Sequence, residues 1–283
     1  MIGINRFKSW LLIATLAGLF VAVGALFGGR NGATIALVIA FVFNGIMYWS
    51  SDKIAIATTR SKPASEVEQP ELYAMVRELA TEAQAPMPRI YLSEMAQPNA
   101  FATGRNPQHA AVSVTRGILQ TLDRRELRAV LAHELSHVMN RDILVSSIAS
   151  AIGFAFTYLG YMFMFAGGGD DDEGGGLGGL GFIVLWLLAP LAAGLIQMAV
   201  SRSREFQADE SGALLSHDPE ALASALMKLE ESAKRIPAQL NPAQAHLFIV
   251  NPLRGRSMRK LFSTHPPTEE RVRRLREIGA RIS

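Results

Sequence analysis

The sequence predicts a mainly helical, α+β membrane protein: four transmembrane helices and a cytoplasmic domain containing a small β-sheet. Three observations carry that expectation. Residues 10–27, 32–51, 143–169 and 174–201 hold no charged residue, and each run is near or above the ~20 residues a helix needs to cross a bilayer core. The flanking charges are lopsided. Arg6, Lys8, Lys53, Arg60, Lys62, Arg141, Arg202 and Arg204 flank the runs on one side, while the two short connections hold Arg30 alone and Asp170-Asp171-Asp172-Glu173. By the positive-inside rule both termini then lie in the cytoplasm. The remaining polar stretches show short periods of both helix and strand.

The first run follows Arg6 and Lys8 as a signal peptide would, but it is long for one and a second run follows at once, so it reads as a retained helix. Residues 143–201 also admit a reading as two buried helices of a soluble core; the flanking charges favour spans. The organisation is therefore residues 1–51 (helices one and two), 52–142 (first cytoplasmic segment), 143–201 (helices three and four with an acidic, glycine-rich periplasmic loop) and 202–283 (second cytoplasmic segment). The loop lacks the Gly-Lys-Ser/Thr ending of a phosphate-binding turn.

Composition agrees. Of 283 residues 49% are hydrophobic and 19% charged, and mean hydropathy is +0.18. A net charge of +3 is only mildly basic and does not point to nucleic acid as a partner. There is no cysteine, which excludes disulfides and thiolate metal ligands alike.

Within the first cytoplasmic segment, Leu72, Met75, Val76, Leu79 and Ala83 recur at helical spacing after Pro70, with Pro86 and Pro88 ending the helix. Residues 89–93, 99–103 and 110–115 read as strands, the last two joined by a turn at Gly104-Arg105-Asn106-Pro107. Asp123 with Glu126 three residues on forms a capping-box pattern. It starts a helix from Arg124 to about Arg141. In the second cytoplasmic segment Asp218-Pro219 starts a helix with Leu222, Leu226 and Leu229 on one stripe, residues 241–259 read as loop, and 268–282 as a basic terminal helix.

The helix after Asp123 contains His133-Glu134-Leu135-Ser136-His137. Two histidines four apart share one face, with Cβ atoms about 5–6 Å apart, and both imidazoles can reach one zinc ion at roughly 2.0–2.1 Å. Glu134 lies on the adjacent strip, placed as general base toward a water at the metal. This is the layout of a zinc peptidase, and it completes the expected fold: a zincin-like cytoplasmic metalloprotease domain on four membrane helices. A third ligand must come from elsewhere. Glu205 lies just past the fourth span, at the membrane level of the motif helix, and Asp209 one turn on could accept a hydrogen bond from the outer nitrogen of His133. By spacing alone, Glu205 and Asp209 read as readily as a charged face paired with Arg202 and Arg204.

The H-E-L-S-H helix, a hairpin of spans, then Ser201-Arg202-Ser203-Arg204-Glu205, Ala208-Asp209 and Gly212-Ala213 resemble the HtpX family of membrane-bound bacterial heat-shock proteases, relatives of the prenyl-protein (CAAX) endopeptidases. Pro98-Asn99-Ala100-Phe101-Ala102-Thr103-Gly104 resembles a family segment beside the catalytic cleft. The resemblance spans nearly the whole chain. It implies Zn²⁺ as cofactor, His133, His137 and Glu205 as its ligands, and Glu134 as catalytic base. It also implies a place in the bacterial inner membrane, and misfolded or damaged membrane proteins as substrates in quality control. In related proteases a histidine near His265 helps stabilise the oxyanion; the bland alternative is a helix-entry residue. Asn99, Ala100, Phe101 and Ala102 are expected to form an edge strand that pairs with extended substrate. His109, His217 and His246 read as surface or core filler. Two other readings stay open: a prenyl-protein-processing or other zinc hydrolase on the same scaffold, and a catalytically silent membrane adaptor.

Overall fold

The computed structural model describes residues 2–140, 142–144, 202–235, 247–250 and 266–282. The expected third and fourth spans with their acidic loop, His246, His265, and most of 241–259 lie outside the described residues. Helix α1 (Ile2–Thr58) breaks at Gly28 and Gly29, with φ of −135° and +56°; the second value is one that glycine adopts without strain. The two expected N-terminal spans fall on this element. Among the described residues no single helix is long and apolar enough to cross a membrane; Gly28–Phe43 and Tyr48–Thr58, bent by 64°, pass together by length and composition.

The two ends of that bent pair differ. Ile35, Phe41 and Trp49 point outward. Ser51, Asp52, Ala55 and Thr59 are buried, and they are tied to the sheet. Arg89 Nη2 donates to Asp52 Oδ2 at 2.7 Å, and Ser93 Oγ donates to the Thr59 carbonyl at 2.7 Å.

The sheet has four strands in the order β1-β2-β4-β3: β1 (Lys62–Pro63), β2 (Arg89–Ser93), β3 (Ala100–Thr103) and β4 (Ala111–Thr115). β2 and β4 are parallel, and β3 runs antiparallel to β4 with Ala102 opposite Val112. β3 therefore lies at an edge. β1 escapes sequence reading because two residues carry no period. The β3–β4 turn contains a 3₁₀ segment, Pro107–His109, whose entry is capped by the Asn106 side chain accepting from His109 N.

Helix α2 (Pro70–Glu82) buries Leu72, Met75, Val76, Leu79 and Ala80. It stops before Pro86. Gln84 takes φ +51° and Ala85 N–H returns to the Ala80 carbonyl at 2.9 Å, a Schellman-type ending, so Ala83 falls at the cap and not on the stripe. A short helix α3 (Arg116–Thr121), not foreseen, starts where Thr115 Oγ1 accepts from Ile118 N.

Helix α4 (Arg124–Met139) begins with the reciprocal capping box of Asp123 and Glu126, worth about 1 kcal/mol. The same Glu126 accepts from Ser224 Oγ and Lys228 Nζ, both at 2.7 Å, so one side chain caps α4 and ties it to a neighbour. α5 (Arg202–Ser216), α6 (Pro219–Arg235) and α7 (Thr268–Ile282) follow. α6 starts as Asp218 Oδ1 accepts from Ala221 N at 3.0 Å. α4 packs against α2, β3, α5 and α6. Val130, Leu131 and Leu135 of α4 join Val112, Leu222 and Leu275 in one core, each such side chain contributing roughly 1.5–3 kcal/mol by leaving water. That packing leaves α4 little freedom, and α4 carries the motif.

Candidate metal centre

His133 and His137 converge from consecutive turns of α4, with Nε2 atoms 3.2 Å apart and rings perpendicular. Two nitrogens bound to one tetrahedral zinc at roughly 2.0–2.1 Å stand about 3.3 Å apart, so the pair is spaced as ligands of one ion. Glu205 reaches in from α5: Oε1 lies 3.7 Å from His137 Nε2 and Oε2 3.9 Å from His133 Nε2. One ligand atom from each of the three residues lies within 4.8 Å of the others, so this group could hold a metal ion.

The approach of α5 to α4 depends on Gly212. A Cβ at that position would sit 2.7 Å from His133 Cα and 2.8 Å from His133 N. Only a bare glycine lets the two backbones come this close, and it lies two turns from Glu205 on the same face. Glu205, Asp209 and Gly212 are all buried on that face of α5.

Behind each imidazole stands a carboxylate. Asp209 Oδ1 is 3.0 Å from His133 Nδ1, a close approach in which the N–H is not aligned for a full hydrogen bond. Asp142 places both oxygens 3.1–3.2 Å from His137 Nδ1. Such carboxylates orient metal-binding imidazoles and set which nitrogen faces the ion. Burial pushes the Asp209 carboxyl up. The adjoining Arg271 guanidinium and its hydrogen bonds, with His133 close beside, more than offset it and hold the pKa at about 2. Burial also disfavours charge on His137, yet Asp142, Glu205 and Glu134 raise its pKa to about 10. Three carboxylates around one imidazole favour positive charge at this point. With no cysteine in the chain, the nitrogen–oxygen donor set suits zinc.

Glu134 is buried and does not join the three donors. Its Oε2 accepts from the Ala102 N–H of β3 at 2.8 Å. Burial raises its pKa, while the two imidazoles and the Ala102 N–H pull it back. The expected base and the expected edge strand thus touch directly. Asn99, expected to open the edge strand, falls just before β3; its Nδ2 donates to the Leu247 carbonyl at 2.9 Å and its Oδ1 accepts from Ile249 N at 3.1 Å. Phe101 packs with Ala55 of α1, Leu247 and Phe248.

Two neighbours escaped sequence reading, Asp142 and Arg271. Asp142 follows the motif helix as an ordinary acidic residue. Arg271 left a signal: it shares a helical stripe with Leu275 and Ile278, so an arginine sits on the apolar face of α7. His217 bonds Glu82 and His109 bonds Asn106, both at the surface.

A model of peptidase family M48 matches residues 66–279. Protease HtpX homologs are similar over nearly the full length. That of Syntrophobacter fumaroxidans is 51% identical, covering 97% of this chain and 99% of its own. That of Pelotomaculum thermopropionicum is 51% identical with the same coverage. That of Sulfurihydrogenibium sp. is 52% identical over 98% of this chain and 97% of its own. The crystal structure of S. mikatae Ste24p resembles the fold with a TM-score of 0.52 at 19% identity, covering 96% of this chain and 65% of that one. The chain belongs to peptidase family M48, as one of its HtpX-type metalloproteases.

Proposed function

We propose that this metalloprotease is a zinc-dependent endopeptidase of the bacterial inner membrane that cuts misfolded or damaged membrane proteins on the cytoplasmic side. The observation that carries the reading is the cluster of His133, His137 and Glu205 beside a Glu134 that already touches an edge strand. His133, His137 and Glu205 would hold the zinc ion, which would supply Lewis acidity toward a water and a peptide carbonyl. Glu134 moves the proton. Burial raises its pKa and so strengthens the carboxylate as a base, which takes a proton from the attacking water and delivers it to the leaving amine.

β3 supports the substrate side. Backbone groups of an edge strand alternate in direction, and Ala102 N–H points away from β4 to Glu134. Ala100 shares that direction. Ala100 is buried in the core and the Ala102 N–H is held by Glu134, so a substrate pairs here by meeting the half-buried Ala102 and displacing that contact; it is then read through its main chain, which favours any extended segment over a particular sequence. Membrane substrates fit the position of α1. Its outward Ile35, Phe41 and Trp49 form an apolar run suited to lipid, and its end packs Ala55 onto Phe101 of β3. The orientation rests on the charge bias of the flanks.

The test is Glu134→Gln in full-length protein reconstituted in vesicles with a destabilised membrane protein. Cleavage should fall by at least ~10²-fold with stoichiometric zinc retained; full activity would refute the mechanism. Equal cleavage rates for soluble and membrane-embedded unfolded chains would refute the substrate class. Proline at Ala100 should slow cleavage, and an unchanged rate would remove the strand-pairing role.

A further inference from the structure

Arg271 is the largest fully buried side chain among the described residues, 1% exposed, and most of its contacts are with the metal centre. Its Nη2 donates to Asp209 Oδ1 at 2.6 Å and its Nε to Asp209 Oδ2 at 2.8 Å. This is the two-pronged pairing that a planar guanidinium makes with a carboxylate and that a lysine cannot copy. Its Nη1 donates to the Ile249 carbonyl at 3.2 Å and lies 3.8 Å from Glu205 Oε2. Nη2 stands 3.4 Å from His133 Nε2.

We propose that Arg271 is a positioning residue of the metal centre: gripping both oxygens of Asp209, it aims that carboxylate at His133 Nδ1 and so keeps His133 Nε2 turned to the ion. The inference rests on the zinc reading above. Its logic is steric and electrostatic. A carboxylate free to rotate could face Nδ1 with either oxygen or neither. Asp209 is buried to 2% exposure, where an unpaired carboxylate is expensive and would protonate or draw in water. The guanidinium removes both escapes, since it occupies one edge of the carboxylate and supplies the opposing charge. Oδ1 is then shared between Arg271 and His133 Nδ1, 3.0 Å away. In the neutral ring a proton held on Nδ1 leaves Nε2 bare as a donor to metal. Arg271 acts through Asp209, and Asp209 through His133. A purely structural arginine would only need to hold α7 against α5. That role would be met by charge or bulk in any geometry and would not be felt at the metal.

The experiment compares zinc affinity, by chelator competition, and the visible spectrum of the cobalt-substituted protein. It uses full-length wild type, Arg271→Lys, Arg271→Met, Asp209→Asn and the Asp209→Asn/Arg271→Met pair. Arg271→Lys and Arg271→Met should each bind zinc roughly 10–100-fold more weakly with an altered cobalt spectrum. The double variant should bind no more weakly than Asp209→Asn alone, because the two residues act as one unit. The double variant carries the test if Arg271→Met does not fold, since it leaves no lone buried charge. Wild-type affinity and spectrum in Arg271→Lys, or losses that add in the double variant, would overturn the proposal while leaving the zinc reading intact. A wild-type protein that takes up no zinc would sink both.

Discussion

His133 and His137 sit one turn apart on the same helix, yet their outer nitrogens are held in opposite ways. His137 is 16% exposed and faces Asp142, five residues along the chain. His133 is 2% exposed and faces Asp209 of α5, which is gripped by Arg271 of α7, while Gly212 presses the α5 backbone onto its Cα. One imidazole is positioned locally and partly by solvent. The other is positioned by three helices that meet only in the folded molecule. Partly exposed groups can recruit water to replace a lost partner, whereas fully buried ones pay the full desolvation penalty. Perturbations on the His133 side should therefore be felt far more strongly.

The largest effect should come from Gly212→Val. The atoms that a new Cβ would strike are backbone, so no side chain can swing aside and α5 must retreat from α4, carrying Glu205 with it. Zinc stoichiometry should collapse toward zero by elemental analysis of the purified protein. Near-stoichiometric zinc in this variant would show that close approach at His133 is dispensable. Next come the two carboxylates. Asp209→Asn should weaken zinc binding by roughly 10–100-fold, and Asp142→Asn by less than about 10-fold. Equal losses in chelator competition would erase the contrast between the two rings.

The smallest effect is on acid stability. Asp209 has a folded-state pKa of about 2 against an ordinary 3.8. A depressed carboxyl pKa contributes stability above the unfolded value, and that contribution is lost as pH falls through the folded one. The window is therefore about pH 4 down to pH 2, and the loss at most about 2 kcal/mol. Denaturation of the zinc-free protein across that window should be steeper for wild type than for Asp209→Asn. Parallel curves would mean that Asp209 is no better stabilised folded than unfolded.

Sequence reading went furthest where the signal was local. The bounds of β2 and α7 and the start of α4 came directly from alternation, helical period and the Asp123–Glu126 cap. Endings were less legible. α2 closes through a left-handed Gln84 and a backbone hydrogen bond, a conformational choice that proline spacing did not reveal. The two-residue β1 and the short α3 carry too few residues for any period. At the site, H-E-x-x-H is nearly self-sufficient. Glu205 and Asp209 were ambiguous by spacing, since a buried acidic stripe and a solvated one look alike until α5 is laid on α4. Arg271 was visible only as a misfit, a cation in line with Leu275 and Ile278, with nothing to say which carboxylate it would meet.

The order of residues along one helix already settles that two imidazoles and a carboxylate flank a common point, because 3.6 residues per turn puts positions 133 and 137 on one face. It also settles that no thiolate can take part. What folding alone could choose was the company those groups keep. Arg271 lies 62 residues from Asp209 and 138 from His133, and Glu134 meets Ala102 across 32. Separations of that length are bridged only when a packed core sets the distance between α4, α5, α7 and the edge of the sheet.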